Sequence, residues 1–306
     1  MKKITILLAA LLGAMLWTGC KDTLETDDPT NPGEKPVAAR DSVMLTIEAG
    51  KGFDTKALAL VENATNATLT ASWKEGEKVY VFAPGSATHI GELTAHPKDR
   101  DNTKATLSGT ISTTGLKVGD VLTLLFPKST WSYNNQGGTL DSIASNFDFA
   151  RTQVTISAIS TTQMTTDRAT TTFENKQSIY RFGFLYSSNT IPSKTVLLTS
   201  SQGKLVKNVN MANGEKTFFT SNDPLTVNLS DTPTAGQLIY IAICNDANTN
   251  QKDDFSFTIY DDDGATYKGS KEIPPASLVK HFVSAKTISM DRLEVPQGST
   301  NVATAL

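Results

Sequence analysis

The amino-acid sequence points to an all-β protein made of two packed sets of strands. Threonine occurs 43 times in 306 residues, and a β-branched side chain suits a pleated, half-exposed surface better than a helix. Short alternating segments follow one another between glycine, proline and asparagine turns, the texture of a sandwich or a barrel. They fall into two sets, one on either side of a Thr/Ser-rich stretch over residues 160–172 with little apolar content. That stretch is read as a domain junction, and two sets of strands argue two sandwiches.

Residues 21–40 are polar, acidic at first, and carry three prolines and one glycine. Nothing there offsets the entropy of ordering by burial, so the segment is a flexible tether. From Asp41 the texture changes: Val43, Leu45, Ile47 and Ala49 alternate with Ser42, Met44, Thr46 and Glu48, a strand with one buried face. Further strands are expected over 77–83, 104–112, 120–126 and 152–158, with one short helix over 141–147 that Asp141 would cap. In the second set, Tyr180, Phe182, Phe184 and Tyr186 share one face of a strand over 178–186. That stripe reads as a buried sheet face in preference to a sugar-stacking platform. Strands over 194–200, 224–229, 237–244, 255–260 and 265–269 follow, and Asp261-Asp262-Asp263-Gly264 makes the last hairpin turn.

At 39% hydrophobic, 19% charged and a formal net charge of −3, the chain is neither a mostly apolar membrane protein nor a disordered polyelectrolyte. It lacks the excess positive charge that neutralises phosphates, so nucleic acid is not an expected partner. The N-terminus has a different character. Lys2 and Lys3 precede an apolar run from Ile4 to Trp17, short for a bilayer span and right for a secretory leader. Leu16-Trp17-Thr18-Gly19-Cys20 resembles a bacterial lipobox, with Trp17 where a small aliphatic residue is usual. Residues 1–19 are then a lipoprotein signal peptide, and Cys20 is the lipidation site that anchors the protein to a membrane. The alternative is an ordinary signal peptide cut near Gly19. Loss of the leader removes two lysines and no acid, which brings the net charge to −5. The remaining cysteine, Cys244, then has no intrachain partner and reads as a small core residue. Disulfide frameworks and cysteine zinc sites are excluded by arithmetic.

No catalytic constellation stands out. His89, His96 and His281 lack partners at catalytic or metal-binding spacing, and HExxH, GxSxG and GxxxxGK(S/T) patterns are absent. Two acids distant in sequence would suit a glycosidase, but no feature favours one. Asp246-x-Asn248-x-Asn250-x-x-x-Asp254 has oxygen ligands at the alternating spacing of a calcium loop. It lacks the glycine at position six, and position twelve is Phe257, so a polar hairpin loop is the better reading. No metal and no cofactor are expected.

Several segments together resemble the fimbrillin family of lipoprotein pilins of the Bacteroidetes. They begin with Thr55-Lys56-Ala57-Leu58, followed by Ala71-Ser72-Trp73-Lys74-Glu75-Gly76-Glu77-Lys78-Val79, similar to the family's TRAL-type strand and W-x-x-G-D/E-x-V segment. Gly119-Asp120, Leu125-Phe126-Pro127 and Gln136-Gly137-Gly138-Thr139-Leu140-Asp141 come next, the last similar to a Q-x-G-T-L segment. Phe147-Asp148 stands where the family has a Y-D pair, and Glu174-Asn175-Lys176, Asp263-Gly264 and Tyr267-Lys268-Gly269 complete the series. The resemblance covers residues 43–290, and the order of the motifs carries it. Asp41-Ser42-Val43 and Asp141-Ser142-Ile143 also resemble an O-glycosylation sequon of this bacterial group.

The resemblance implies two tandem transthyretin-like Greek-key β-sandwich domains, over 41–172 and 173–306, behind a leader (1–19) and a tether or propeptide (20–40). It implies a non-enzymatic subunit of a cell-surface fimbria. Such a subunit travels to the outer membrane on its lipid and is freed by cleavage after an arginine. Its partners are other fimbrial subunits, joined by strand exchange. Arg40 is the candidate processing site, because it ends the tether just before the first strand; the plain alternative is a solvated linker residue. The segment 42–49 suits strand exchange, since a sheet that loses a strand exposes an apolar groove and unpaired backbone groups. Residues 292–306 form either a donor strand, as a stalk subunit needs, or a frayed end. The runner-up is a monomeric outer-membrane glycan-binding lipoprotein with exposed aromatics on loops, for which Trp131 and Tyr133 are the candidate contacts.

Overall fold

The computed structural model describes residues 41–51, 61–63, 68–230, 238–278 and 282–293, all within one compact unit, Ala39–Leu306. Strands dominate it. In the first half they are β1 (Ser42–Lys51), β2 (Val61–Asn63), β3 (Thr68–Thr70), β4 (Lys78–Phe82), β5 (His89–Lys98), β6 (Asp101–Ser112), β7 (Val121–Phe126) and β8 (Trp131–Ser132). After the helix α1 (Leu140–Asn146) come β9 (Ala150–Ile159), β10 (Gln163–Thr166) and β11 (Thr170–Asn175).

Eight of these strands pair in the order β10-β1-β11-β9-β7-β4-β5-β6, and β6 pairs back onto β1. The pairing therefore closes on itself, leaving a wall without an open edge on this circuit. Alternation turns Val79, Val81, Leu93, Ala95, Leu107, Ile111, Leu122, Leu124, Val154 and Ile156 inward, where they form one buried cluster with Trp73 and Phe173. Gly109 lets β5 and β6 approach closely: a Cβ there would collide with the carbonyl oxygen of Glu92.

The second half contains β12 (Ser178–Tyr186), β13 (Asn189–Thr190), β14 (Ser193–Ser200), β15 (Val206–Val209), β16 (Lys216–Phe218), β17 (Leu225–Asn228) and β18 (Ile239–Ile243). β19 (Asp253–Asp261), β20 (Thr266–Ile273), a short helix α2 (Pro275–Leu278), β21 (Phe282–Ser289) and β22 (Asp291–Leu293) follow. A sheet in which β12 is flanked by β18 and β21 faces the sheet β17-β14-β19-β20-β22. Their meeting faces are aromatic: Phe182 lies 5.0 Å from Phe257, Phe184 5.1 Å from Phe257, and Tyr180 5.5 Å from Phe255. The expected stripe on β12 is thus core at Tyr180, Phe182 and Phe184, whereas Tyr186 is exposed.

This second core also draws on the first half of the chain. Phe82, Leu125, Trp131, Tyr133, Ile143, Phe147 and Phe149 belong to it. The segment at Gln136 explains how. Its backbone N–H donates to Thr226 and its carbonyl accepts from Asn228, so it borders β17. Its side-chain amide accepts from Ala242 N at 2.8 Å and donates to Ala242 O at 2.7 Å, as a peptide group would, and so borders β18. Gly138 continues the seam by accepting from Tyr240 N. With φ at +76° and Leu229 where a Cβ would stand, position 138 admits only glycine.

Three expectations need correction. The junction expected over 160–172 is sheet: β10 and the start of β11 lie there, parallel to β1. Their outer faces are mostly threonine in solvent, and the buried positions are Met164, Thr171, Phe173 and Asn175, so the low apolar content belongs to strands with few apolar inward positions. β11 runs across the 172/173 boundary, and Phe173 packs in the first cluster. The helix cap is Thr139, whose Oγ1 accepts from Ser142 N at 3.1 Å, and Asp141 sits in the first turn. β5 was not foreseen, because Gly91 and Pro97 interrupt its pattern.

Candidate assembly strand and the groove it fills

β1 begins one residue after Asp41 and closes the circuit of the first half. On one side it runs antiparallel to β6, from Ser42 opposite Ser112 to Gly50 opposite Lys104. On the other it runs parallel to β10 at Met44 and Leu45 and to β11 from Glu48 to Lys51. Both backbone edges are therefore occupied. The inward residues Val43, Leu45, Ile47 and Ala49 are at most 3% exposed. Burying a side chain of the Val/Leu/Ile kind contributes about 1.5–3 kcal/mol, so three such residues make β1 a major contributor to the first core.

The next inward position is Lys51, one step beyond Ala49, where the apolar alternation ends. Its ammonium lies 3.2 Å from Glu77 Oε2, donates to Ser72 O at 3.2 Å, and sits 3.6 Å from the Trp73 ring centroid. Both side chains of the ion pair are 2% exposed. Burial pushes the Lys51 ammonium down to about 8, with Glu77 opposing the shift. Burial likewise raises the Glu77 carboxyl, with Lys51 opposing. Among the described residues Glu77 Oε1 and Trp73 Nε1 have no hydrogen-bond partner, so Lys51 is the principal counter-charge of a buried carboxylate. Such a pair adds little net stability while whole and is costly to break. Here it fixes β1 in register against the Trp73–Glu77 segment. Trp73 and Glu77 stand among the motif residues of the sequence, whereas Lys51 is marked there only as a lysine continuing the period-2 series.

The remaining expected residues fall elsewhere. Cys20, Arg40, His281 and residues 294–306 lie outside the described residues. Trp131 and Tyr133 are buried, at 6% and 0% exposure. Trp131 stacks on Phe149 at 5.7 Å, its indole N–H donates to the Tyr133 hydroxyl, and that hydroxyl donates to Gln177 Oε1, each at 3.2 Å. Gln177 in turn donates to the buried Asp148 at 2.7 Å. The exposure expected of the two rings is therefore not met, because the second core claims both faces. Burial pushes the half-buried Cys244 thiol up to about 11, in keeping with an inert core residue. In the loop tested for calcium, Asp246 pairs with Lys216 and Asn248 Oδ1 accepts from Asn250 N at 3.0 Å. Among the described residues no group of three potential metal ligands converges. Of the two sequon serines, Ser42 is exposed at the start of β1, and Ser142 Oγ accepts from Gly137 N at 3.1 Å.

No protein family and no curated protein matches the chain. Among solved structures it is similar to a provisionally assigned cell adhesion protein from Bacteroides ovatus, at 12% identity and TM-score 0.41, covering 83% of this chain and 97% of that one. A second such protein, from Bacteroides uniformis, gives 12% identity and TM-score 0.38 over 82% and 98%. The tip fimbrial protein Mfa3 from Porphyromonas gingivalis gives 10% identity and TM-score 0.31 over 75% and 81%. At these identities and TM-scores the likeness assigns neither a family nor an activity to the chain.

Proposed function

We propose that this protein is a non-enzymatic subunit of a cell-surface fimbria that assembles by β-strand complementation and supports adhesion. The observation that carries the reading is β1: a strand at the start of the described chain, paired along both edges, whose departure would open a groove lined by β6 on one side and β10 and β11 on the other. Such a groove, apolar at its base with backbone donors and acceptors along its rims, is what strand addition recognises. Within this proposal the two halves are transthyretin-like Greek-key domains, Cys20 carries the lipid that holds the precursor on the outer membrane, and cleavage after Arg40 frees the end of β1. The incoming strand is β1 of another subunit. It brings an apolar residue at every second position and a cation to meet Glu77, a pattern that the tail 292–306 lacks. Exchange of like for like remakes every contact, so the polymer forms at little net cost in contacts once a slow opening step has occurred.

The test is Arg40→Ala in cells, followed by intact-mass and N-terminal analysis of surface material. The proposal expects wild-type assemblies to start at Asp41 and the variant to stay monomeric on the membrane. Normal polymer from the variant would remove Arg40 from the mechanism.

A further inference from the structure

Beside Arg151 of β9 and Glu174 of β11, which stand opposite one another, the two strands border a crevice of about 510 Å3. Three cations line it, Arg151, Arg168 and Lys176, against one carboxylate, Glu174. Its other lining groups are hydroxyls and an amide, among them Thr152, Thr172 and Gln153. Lys176 donates to Glu174 at 2.8 Å and so offsets that carboxylate, and Arg168 is only loosely held, at 3.5 Å from Asp167. The guanidinium of Arg151 is under-used. It donates to Thr123 Oγ1 at a long 3.5 Å, and its Nε is buried with no partner among the described residues. Arg151 and Gln153 also line a second crevice of about 310 Å3, in which Asn210 and Asn213 stand beside Val121, Trp131 and Met211.

In a protein of net charge −3, a local surplus of cations around an incompletely satisfied guanidinium is a feature that needs a reason. A guanidinium fork matches a carboxylate in bidentate fashion, and a rim of hydroxyls and amides matches a ligand dense in hydroxyls. The first crevice has no apolar side chain in its lining, hence no socket for the anchors by which peptides dock. From this we infer that the crevice is a binding site for an acidic glycan, with Arg151 holding a sugar carboxylate, Arg168 adding charge, and the threonines and Gln153 bonding ring hydroxyls. The crevice shares Thr170, Thr171 and Thr172 of β11 with the wall of the β1 groove, but it stands complete with β1 in place and so does not depend on assembly.

The experiment is calorimetric titration of the purified full-length protein with oligogalacturonate, alongside malto-oligosaccharide as a neutral glycan and poly-L-glutamate as an acidic peptide. Saturable binding of oligogalacturonate alone is expected. Arg151→Gln should weaken it tenfold or more and Arg168→Gln about threefold. Thr172→Glu, at an exposed position, should abolish it in a chain whose thermal melt is unchanged. This last variant keeps the test decisive if Arg151→Gln perturbs folding. No binding by the wild type, equal binding of poly-L-glutamate, or full binding by Thr172→Glu would each overturn the assignment. Because the titration uses monomers, its failure leaves the strand-complementation proposal untouched, and the reverse holds as well.

Discussion

The two halves of the molecule meet the same hazard, open sheet edges, in different ways. In the first half the circuit is closed by β1, the first described element, which is continuous with the rest of the protein chain on one side and with a polar tether on the other. In the second half the edges of β17 and β18 are both covered by the segment at Gln136, which is held by folded chain before and after it. A closing strand near a terminus is able to leave once the tether is cut, whereas an internal one is not. Under the strand-complementation proposal, the difference places exchange at the first half and not at the second.

The most severe break of this comparison is removal of β1. A chain lacking residues 41–51 should lose its cooperative melt, and a synthetic peptide of those residues added in trans should restore it. Removing the Gln136 segment should admit no such rescue. Circular dichroism melts with and without peptide read both outcomes.

A single substitution sharpens the register claim. Lys51→Met leaves Glu77 buried without its cation and should cost about 3–5 kcal/mol, whereas Lys51→Met with Glu77→Leu should recover most of that loss. The pH dependence has a definite sign. Burial already raises the folded pKa of Glu77 above its ordinary value, and loss of Lys51 raises it further. The folded state then binds the proton more readily than the unfolded state, so the single variant gains stability as pH falls through the folded pKa toward about 4.5 and loses it as pH rises. Urea titrations at pH 5 and pH 7 test this; a penalty that stays constant with pH would count against an unpaired Glu77.

Smaller effects are expected in the second half. Gln136→Ala leaves the buried N–H and C=O of Ala242 without partners and should cost about 2–4 kcal/mol, with unchanged behaviour in any strand-exchange assay. Thr139→Ala removes the cap of α1 and should cost about 1 kcal/mol. Loss of exchange in either variant would break the separation between the halves.

Much of this fold was legible in local patterns. Val43, Leu45, Ile47 and Ala49 announced β1, and Tyr180 to Tyr186 announced β12 with its observed bounds. Asp261 to Gly264 announced a turn in which Asp261 Oδ1 accepts from Asp263 N and Ala265 N. What stayed hidden depended on distant partners. The Gln136 amide acts as a strand because Ala242, 106 residues away, stands beside it. Lys51 reads as a strand end until Glu77 and Trp73 are beside it. Trp131 and Tyr133 read as loop aromatics, since nothing local reveals that Phe149 and Gln177 cover them. Residues 160–172 read as a linker because apolar content marks only strands with a full inward face.

The central claim, that β1 changes partners between subunits, is open to one direct measurement. Ser42 of β1 stands opposite Ser112 of β6. A chain carrying Ser42→Cys and Ser112→Cys, in a Cys244→Ser background, would be expressed on cells, oxidised and separated without reductant. Exchange predicts a ladder of covalent multimers in the surface assemblies and intramolecular bridges only in the membrane-held monomer. Assemblies that dissolve entirely into bridged monomers would show that β1 never leaves its own subunit, and would contradict the account.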